Sequence, residues 1–292
     1  MQTLYNLRRE LKSKANPKKA KALQRFFKTG YGEYGEGDIF LGIVVPETRK
    51  ITQKYKDLEF KDLGELLKSK IHEERLTALL ILVEQFNQFQ RALLNHNAVS
   101  KHKHSVVINH YTTRKHSATM LHHSAMTRHS VQARKQIFNF YLKNTKYINN
   151  WDLVDLSAPK IVGGYLLMQS HKFLYNTDAI ASVLYKLVKS KNLWERRIGI
   201  LSTFAFIRQN RFEESLKIAE MLLSDKHDLI HKAVGWMLRE VGKRSQPTLE
   251  KFLKKHASKM PRVMLRYAIE RLSEAKRADL LSDSDKVRRG GG

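Results

Sequence analysis

The stretch that decides the fold runs from residue 229 to residue 241: Leu229-Ile230-His231-Lys232-Ala233-Val234-Gly235-Trp236-Met237-Leu238-Arg239-Glu240-Val241. Ile230, Ala233, Val234, Met237 and Val241 recur at i, i+3, i+4, i+7 and i+11, the core face of an α-helix. This helix is one of a series. Starts are expected near Asp178, Glu213 and Pro247, spaced 35 and 34 residues, and partner helices near Trp194, Leu229 and Val263, spaced 35 and 34. A single helix pair cannot bury its apolar face, so pairs at this period stack on one another.

Working outward, the whole chain reads as all-α: a curved α-solenoid of HEAT-like helix pairs. The second helix of each pair lines the concave side, and that side is a basic groove. Thr3 to Lys14 is an amphipathic start. Asn16-Pro17 is a cap followed by an N1 proline, opening a helix through Lys28. The glycine-rich residues 30–39 lack the Gly-Lys-Ser/Thr ending and the preceding strand of a phosphate-cradling loop. A Pro46-started helix follows, then helices over about 61–69 and 72–88, the latter with Leu76, Leu79, Leu80 and Val83 as its apolar stripe.

Residues 1–90 are thus N-terminal helical repeats, and residues 132–281 are repeats that carry a groove. Between them, 91–131 hold eight histidines, six Lys/Arg and no acid. Helical periodicity fades there, so an insertion, loop-like or weakly ordered, is expected. His102 with His104, or His122 with His123, lacks the Cys, Asp or Glu partners of a structural zinc site, so no metal and no cofactor is expected. The polar tail 282–292, ending in three glycines, is expected to be disordered.

Fifty-four Lys+Arg against 28 Asp+Glu give a net charge of +26, and nucleic acid is the first partner such a chain suggests. Cysteine is absent, which excludes disulfides and thiolate chemistry. No apolar run approaches the roughly 20 residues of a membrane span. The charged start lacks the apolar core of a secretory signal. The expectation is a cytoplasmic monomer that does not engage membranes.

Trp236 lies off the core stripe of its helix, with Lys232, Arg239 and Lys243 as helical neighbours. Either it packs at a repeat boundary, or it is an aromatic surface in a basic groove, suited to a sugar or base. One repeat back, Arg197 takes the place of Lys232; one repeat forward, Arg266 does. If the register holds, the three make a basic row matching a phosphate track. Trp194 fits better as packing between repeats.

Mid-chain stands Asn149-Asn150-Trp151-Asp152-Leu153-Val154-Asp155. Asn150 is a natural N-cap, so Trp151 opens a helix. Val154, Ala158, Ile161 and Tyr165 make its apolar stripe. Trp151 and Asp155, one turn apart, lie beside it. Asp152 suits the helix dipole. Asp155 could simply pair with a nearby Arg or Lys. A carboxylate in a DNA-binding groove, however, repels phosphate and so calls for a chemical role.

The segments N-N-W-D-L-V-D, L-W-E-R-R-I-G-I-L and H-K-A-V-G-W-M-L-R-E, with F-L-G-I-V-V-P-E-T-R near the N-terminus, resemble the AlkD-type DNA alkylation repair glycosylases. The resemblance spans nearly the whole chain outside 91–131 and the tail. It implies that Asp155, Trp151 and Trp236 form the active site and that Arg197 contacts DNA. It also implies double-stranded DNA containing alkylated bases as substrate, recognised without a deep base-flipping pocket. On charge and repeats alone, a non-catalytic nucleic-acid scaffold and a solenoid binding an acidic peptide remain rivals.

Overall fold

A computed structural model describes the backbone of residues 2–88, 113–172 and 177–289. The described residues are helical, with no strand among them beyond an isolated bridge between Ile39 and Ile71. Contacts divide the chain into two compact units, residues 1–147 and 148–292. None of the described helices is long and apolar enough to cross a membrane.

The first unit contains α1 (Leu4–Ser13), α2 (Pro17–Phe26), α3 (Val45–Lys54), α4 (Phe60–Leu67), α5 (residues 72–88) and α6 (Thr113–Lys143). Caps follow local chemistry: Thr3 Oγ1 accepts from Asn6 N, and Asn16 Oδ1 accepts from Lys19 N. The centre is α5. Leu76, Leu79, Leu80 and Val83 are buried, but so is every other residue from 72 to 83. This helix is enclosed on all sides rather than amphipathic, which its run of Leu, Ile and Val permits.

The charges of its first turn are paired within the unit, although Arg75 Nε is buried without a hydrogen-bond partner among the described residues. Glu73 accepts the backbone N–H groups of Leu41, Gly42 and Ile43 at 2.9, 2.8 and 3.1 Å. Asp38 pairs with His72 and Arg75, and Glu74 pairs with Arg8. Gly42 has φ of +85°, and a Cβ there would lie 2.2 Å from the Asn16 carbonyl, so only glycine lets this turn meet the start of α2.

Helix is described from Thr113 rather than from Gln132. The stretch between them contains no glycine or proline, and a helix already nucleated at its packed end propagates through residues that carry no breaker. The part of α6 beyond residue 132 belongs to the first unit, where Phe140 stacks on Phe60. Residues 89–112, including the His102 and His104 pair, lie outside the described residues. At the other end, the expected disordered tail is helical to Arg289, again with no glycine before Gly290; residues 290–292 lie outside.

The second unit begins with α7 (Trp151–Ala158), a π-turn over Pro159–Gly163 and α8 (Gly164–Lys172). It continues with α9 (Thr177–Val188), α10 (Leu193–Ser202), α11 (Phe204–Ile207) and α12 (Glu213–Met221). Then come α13 (Asp228–Arg244), α14 (Gln246–His256), α15 (Arg262–Ile269) and α16 (Glu274–Arg289). Each of the six helix starts expected from the repeat lies within one residue of a helix start here. The α13 stripe, Ile230 to Val241, is buried throughout, and α13 packs on α10, α14 and α15. Gly235 permits the last of these: a Cβ there would lie 2.5 Å from the Met264 carbonyl.

Candidate active site

Asn150, fully buried and extended, ends the chain's approach to α7, and its Oδ1 accepts from Trp151 N at 2.8 Å. Val154, Ala158, Ile161 and Tyr165 face the core as their spacing requires. That leaves Trp151 and Asp155 half-buried beside the stripe. Pro159 has no N–H to give the Asp155 carbonyl one helical step back, and the helix widens there into the π-turn. At the end of that turn, Gly163 meets α10: a Cβ would lie 2.2 Å from the Ser202 carbonyl and 3.0 Å from Ala205 Cβ.

This close approach brings α10 against α7, and with it Arg197 against Asp155. Arg197 Nε donates to Asp155 Oδ1 and Nη2 to Asp155 Oδ2, both at 2.8 Å, a two-pronged grip that fixes the carboxylate plane. Arg197 Nη1 donates to the Leu229 carbonyl of α13 at 2.5 Å. One guanidinium therefore clamps three helices. Arg197 is closed off, its side chain 6% exposed, whereas Asp155 keeps 16% of its side chain in solvent. Burial pushes the Asp155 carboxyl above the usual aspartate range, against the downward pull of the guanidinium; the nearby Asp152 charge adds to the rise.

The guanidinium of Arg197, the residue expected at DNA, is buried and engaged by Asp155 and the Leu229 carbonyl, so the alternative for Asp155, pairing with an arginine, is what the geometry contains. Along the expected basic row, Arg197 is buried, Lys232 is half-buried and Arg266 is exposed. A repeat period of 34 to 35 residues specifies a helix position but not which way a side chain turns.

The cations beside Trp236 are also engaged. Lys232 pairs with Asp228, Arg239 with Glu270 and Lys243 with Glu240. Glu240 also accepts from Trp236 Nε1 at 3.2 Å. It lies one turn beyond Trp236 on the same helix, a neighbour readable from the sequence and missed there. Trp236 is half-buried, its ring 6.2 Å from that of Phe204, and it stands two turns along α13 from the Leu229 carbonyl. Trp194 is buried, as its packing role requires.

Gly163→Ala tests the α7–α10 contact. A methyl 2.2 Å from a backbone oxygen must push the helices apart, and about 1–3 kcal/mol of stability should be lost, measured by chemical denaturation. A variant of unchanged stability would show that the contact is not tight.

The second unit is thus an array of packed helix pairs built around a carboxylate–guanidinium clamp. The model of the DNA alkylation repair enzyme family matches residues 7–107 and 94–272, and the chain belongs to that family. A solved structure from Enterococcus faecalis, "Predicted DNA alkylation repair enzyme", superposes with a TM-score of 0.57 at 13% identity, covering 89% of this chain and 97% of its own. At that identity the likeness concerns the fold. No curated protein matches by sequence.

Proposed function

We propose that the protein is a monofunctional DNA glycosylase that hydrolyses the N-glycosidic bond of N3- or N7-alkylated purines in duplex DNA. The reading rests on one observation above others: a carboxylate gripped from behind by a buried arginine, yet still partly open to solvent, in a member of a DNA alkylation repair family. A purely structural ion pair has no need of the open side.

An N3- or N7-alkylated purine carries a positive charge and leaves without a general acid. The C1′–N bond breaks, its electron pair departs with the base and neutralises it, and the deoxyribose gains oxocarbenium character. Asp155 stabilises that charge and orients the attacking water, as carboxylates do in glycoside hydrolysis. Water oxygen bonds to C1′ and its proton passes to solvent, leaving an abasic site and a free base. Arg197 acts as a positioning residue, holding the carboxylate ionised and in one plane.

Trp151 and Trp236 would pack on the sugar, where cation–π attraction is worth about 1–2 kcal/mol when desolvated. Arg266 is exposed and suits a phosphate. Lys232 and Lys243, about two-fifths exposed, would exchange their carboxylate partners for phosphates at little cost, and Arg239, more enclosed, would do so at a higher one. No residue stands out as a lyase nucleophile; Lys160 is near Asp155 in sequence, and nothing singles it out. The enzyme would act as a monomer on chromosomal DNA in the cytoplasm, without extruding the base into a deep pocket.

The test is release of 7-methylguanine from methylated duplex DNA. Release is expected, and its rate should fall on the acid side at a pH above the ordinary aspartate value of 3.8. The reason is that a carboxyl whose pKa is raised loses its charge sooner as pH falls. Binding of such DNA without any release would favour the non-catalytic scaffold.

A further inference from the structure

Elsewhere on the described surface, several lysines are matched with acids. Lys50 pairs with Glu47, Lys54 with Glu10, Lys68 with Glu65, Lys255 with Glu220 and Lys276 with Glu250. The stretch from the end of α1 through α2 is different. Lys12, Lys14, Lys18, Lys19, Lys21, Arg25 and Lys28 are all exposed, and no Asp or Glu occurs between Glu10 and Glu33. None of the seven has an ion-pair or hydrogen-bonding side-chain partner among the described residues.

The cations are also ordered. Lys18, Lys21 and Arg25 follow i, i+3 and i+7 on α2, one stripe of the helix. The opposite side of α2 is given to the fold: Ala20, Leu23 and Gln24 are half-buried, and Phe27 is buried against Phe40 and His72. Two aromatic rings stand out beside the stripe, Phe26 at 63% and Tyr31 at 97% exposure. Glu10 and Glu47 lie within electrostatic reach of Lys14 and Lys19, but neither forms an ion pair with them; Lys18, Lys21 and Arg25 repel one another, and a rigid helix keeps them from spreading.

We infer that α2 and the turn after it form a second DNA-binding surface, in the first unit, that grips backbone phosphates irrespective of base or lesion. The inference rests on DNA being the substrate and goes beyond the Asp155 site. Charge complementarity selects a polyanion, because a row of cations on a helix of about 15 Å matches a backbone that bears one charge per about 1.7 Å of duplex. It disfavours an anionic membrane: an interfacial helix needs a broad apolar face to insert, and α2 offers only Phe26 as an exposed large apolar side chain, with Ala20 and Leu23 half-buried against the fold.

The test is the salt dependence of binding to undamaged duplex DNA by the full chain and by the triple variant Lys18→Gln, Lys21→Gln, Arg25→Gln. Each lost phosphate contact should make the slope of log K against log salt shallower by about 0.9, so a decrease of about 2 to 3 is expected. Single-turnover base release at saturating DNA should be unchanged. A control, Lys50→Gln, Lys68→Gln, Lys276→Gln, removes the same charge from paired lysines and should leave the slope nearly intact.

An unchanged slope in the α2 variant, or an equal loss in the control, overturns the inference. So does loss of binding to phosphatidylserine vesicles with DNA binding untouched. Asp155→Asn, run alongside, separates the two proposals: it should keep the wild-type slope and lose release. A wild-type chain that fails to bind duplex DNA sinks both.

Discussion

Asp155→Asn should lower single-turnover release of 7-methylguanine by a factor on the order of 10²–10³, the size of effect seen when one preorganised charge-stabilising group is removed. DNA binding should be retained or tightened, because the variant no longer sets a negative charge against phosphate. The amide keeps one oxygen to accept from Arg197 but turns an N–H₂ toward the guanidinium's other prong, so a stability loss of about 1–3 kcal/mol accompanies it. Thermal melting alongside the kinetics separates lost chemistry from lost fold. Undiminished release by a folded variant would end the case for Asp155.

Arg197→Met should have the opposite profile: a large loss of stability with little direct effect on phosphate contacts. It strands the half-buried Asp155 carboxylate and removes the N–H that reaches Leu229 O. Breaking one partner out of a buried pair costs about 3–5 kcal/mol, or a fall in Tm of roughly 10 °C for a unit of this size. The Asp155 pKa should climb further without the guanidinium, so the acid limb of any remaining activity should move toward neutral pH. Arg197→Lys, which keeps the charge but not the fork, should recover part of the stability and less of the rate. A stable Arg197→Met protein with a shallower salt slope would instead restore Arg197 as a phosphate contact.

These two residues mark where sequence reasoning held and where it stopped. Asp155 was singled out by its place one turn from Trp151 on a capped helix, and the helix and cap are there. Arg197 is placed on its helix by the sequence, but its environment is not. Its partner is 42 residues away, and only the packing of α10 on α7, permitted by the missing side chain at Gly163, sets their distance. Over 113–131 the apolar periodicity of the sequence is weak, and helix is described there all the same.

By itself, then, the sequence determined the elements: six repeat helices placed to within a residue, the α7 cap, the buried α13 stripe and the strong positive charge. These follow from interactions across one helical turn or from composition, and both are present in the linear chain. The tertiary structure alone decided which charges are spent over long range. It turned Arg197 inward onto Asp155 and Leu229 and tied Arg239 to Glu270, whereas Lys232–Asp228 and Lys243–Glu240 are neighbours within one turn of α13. Pairing between residues distant in the chain depends on gaps of a few ångströms between packed elements, and no period in the sequence encodes those.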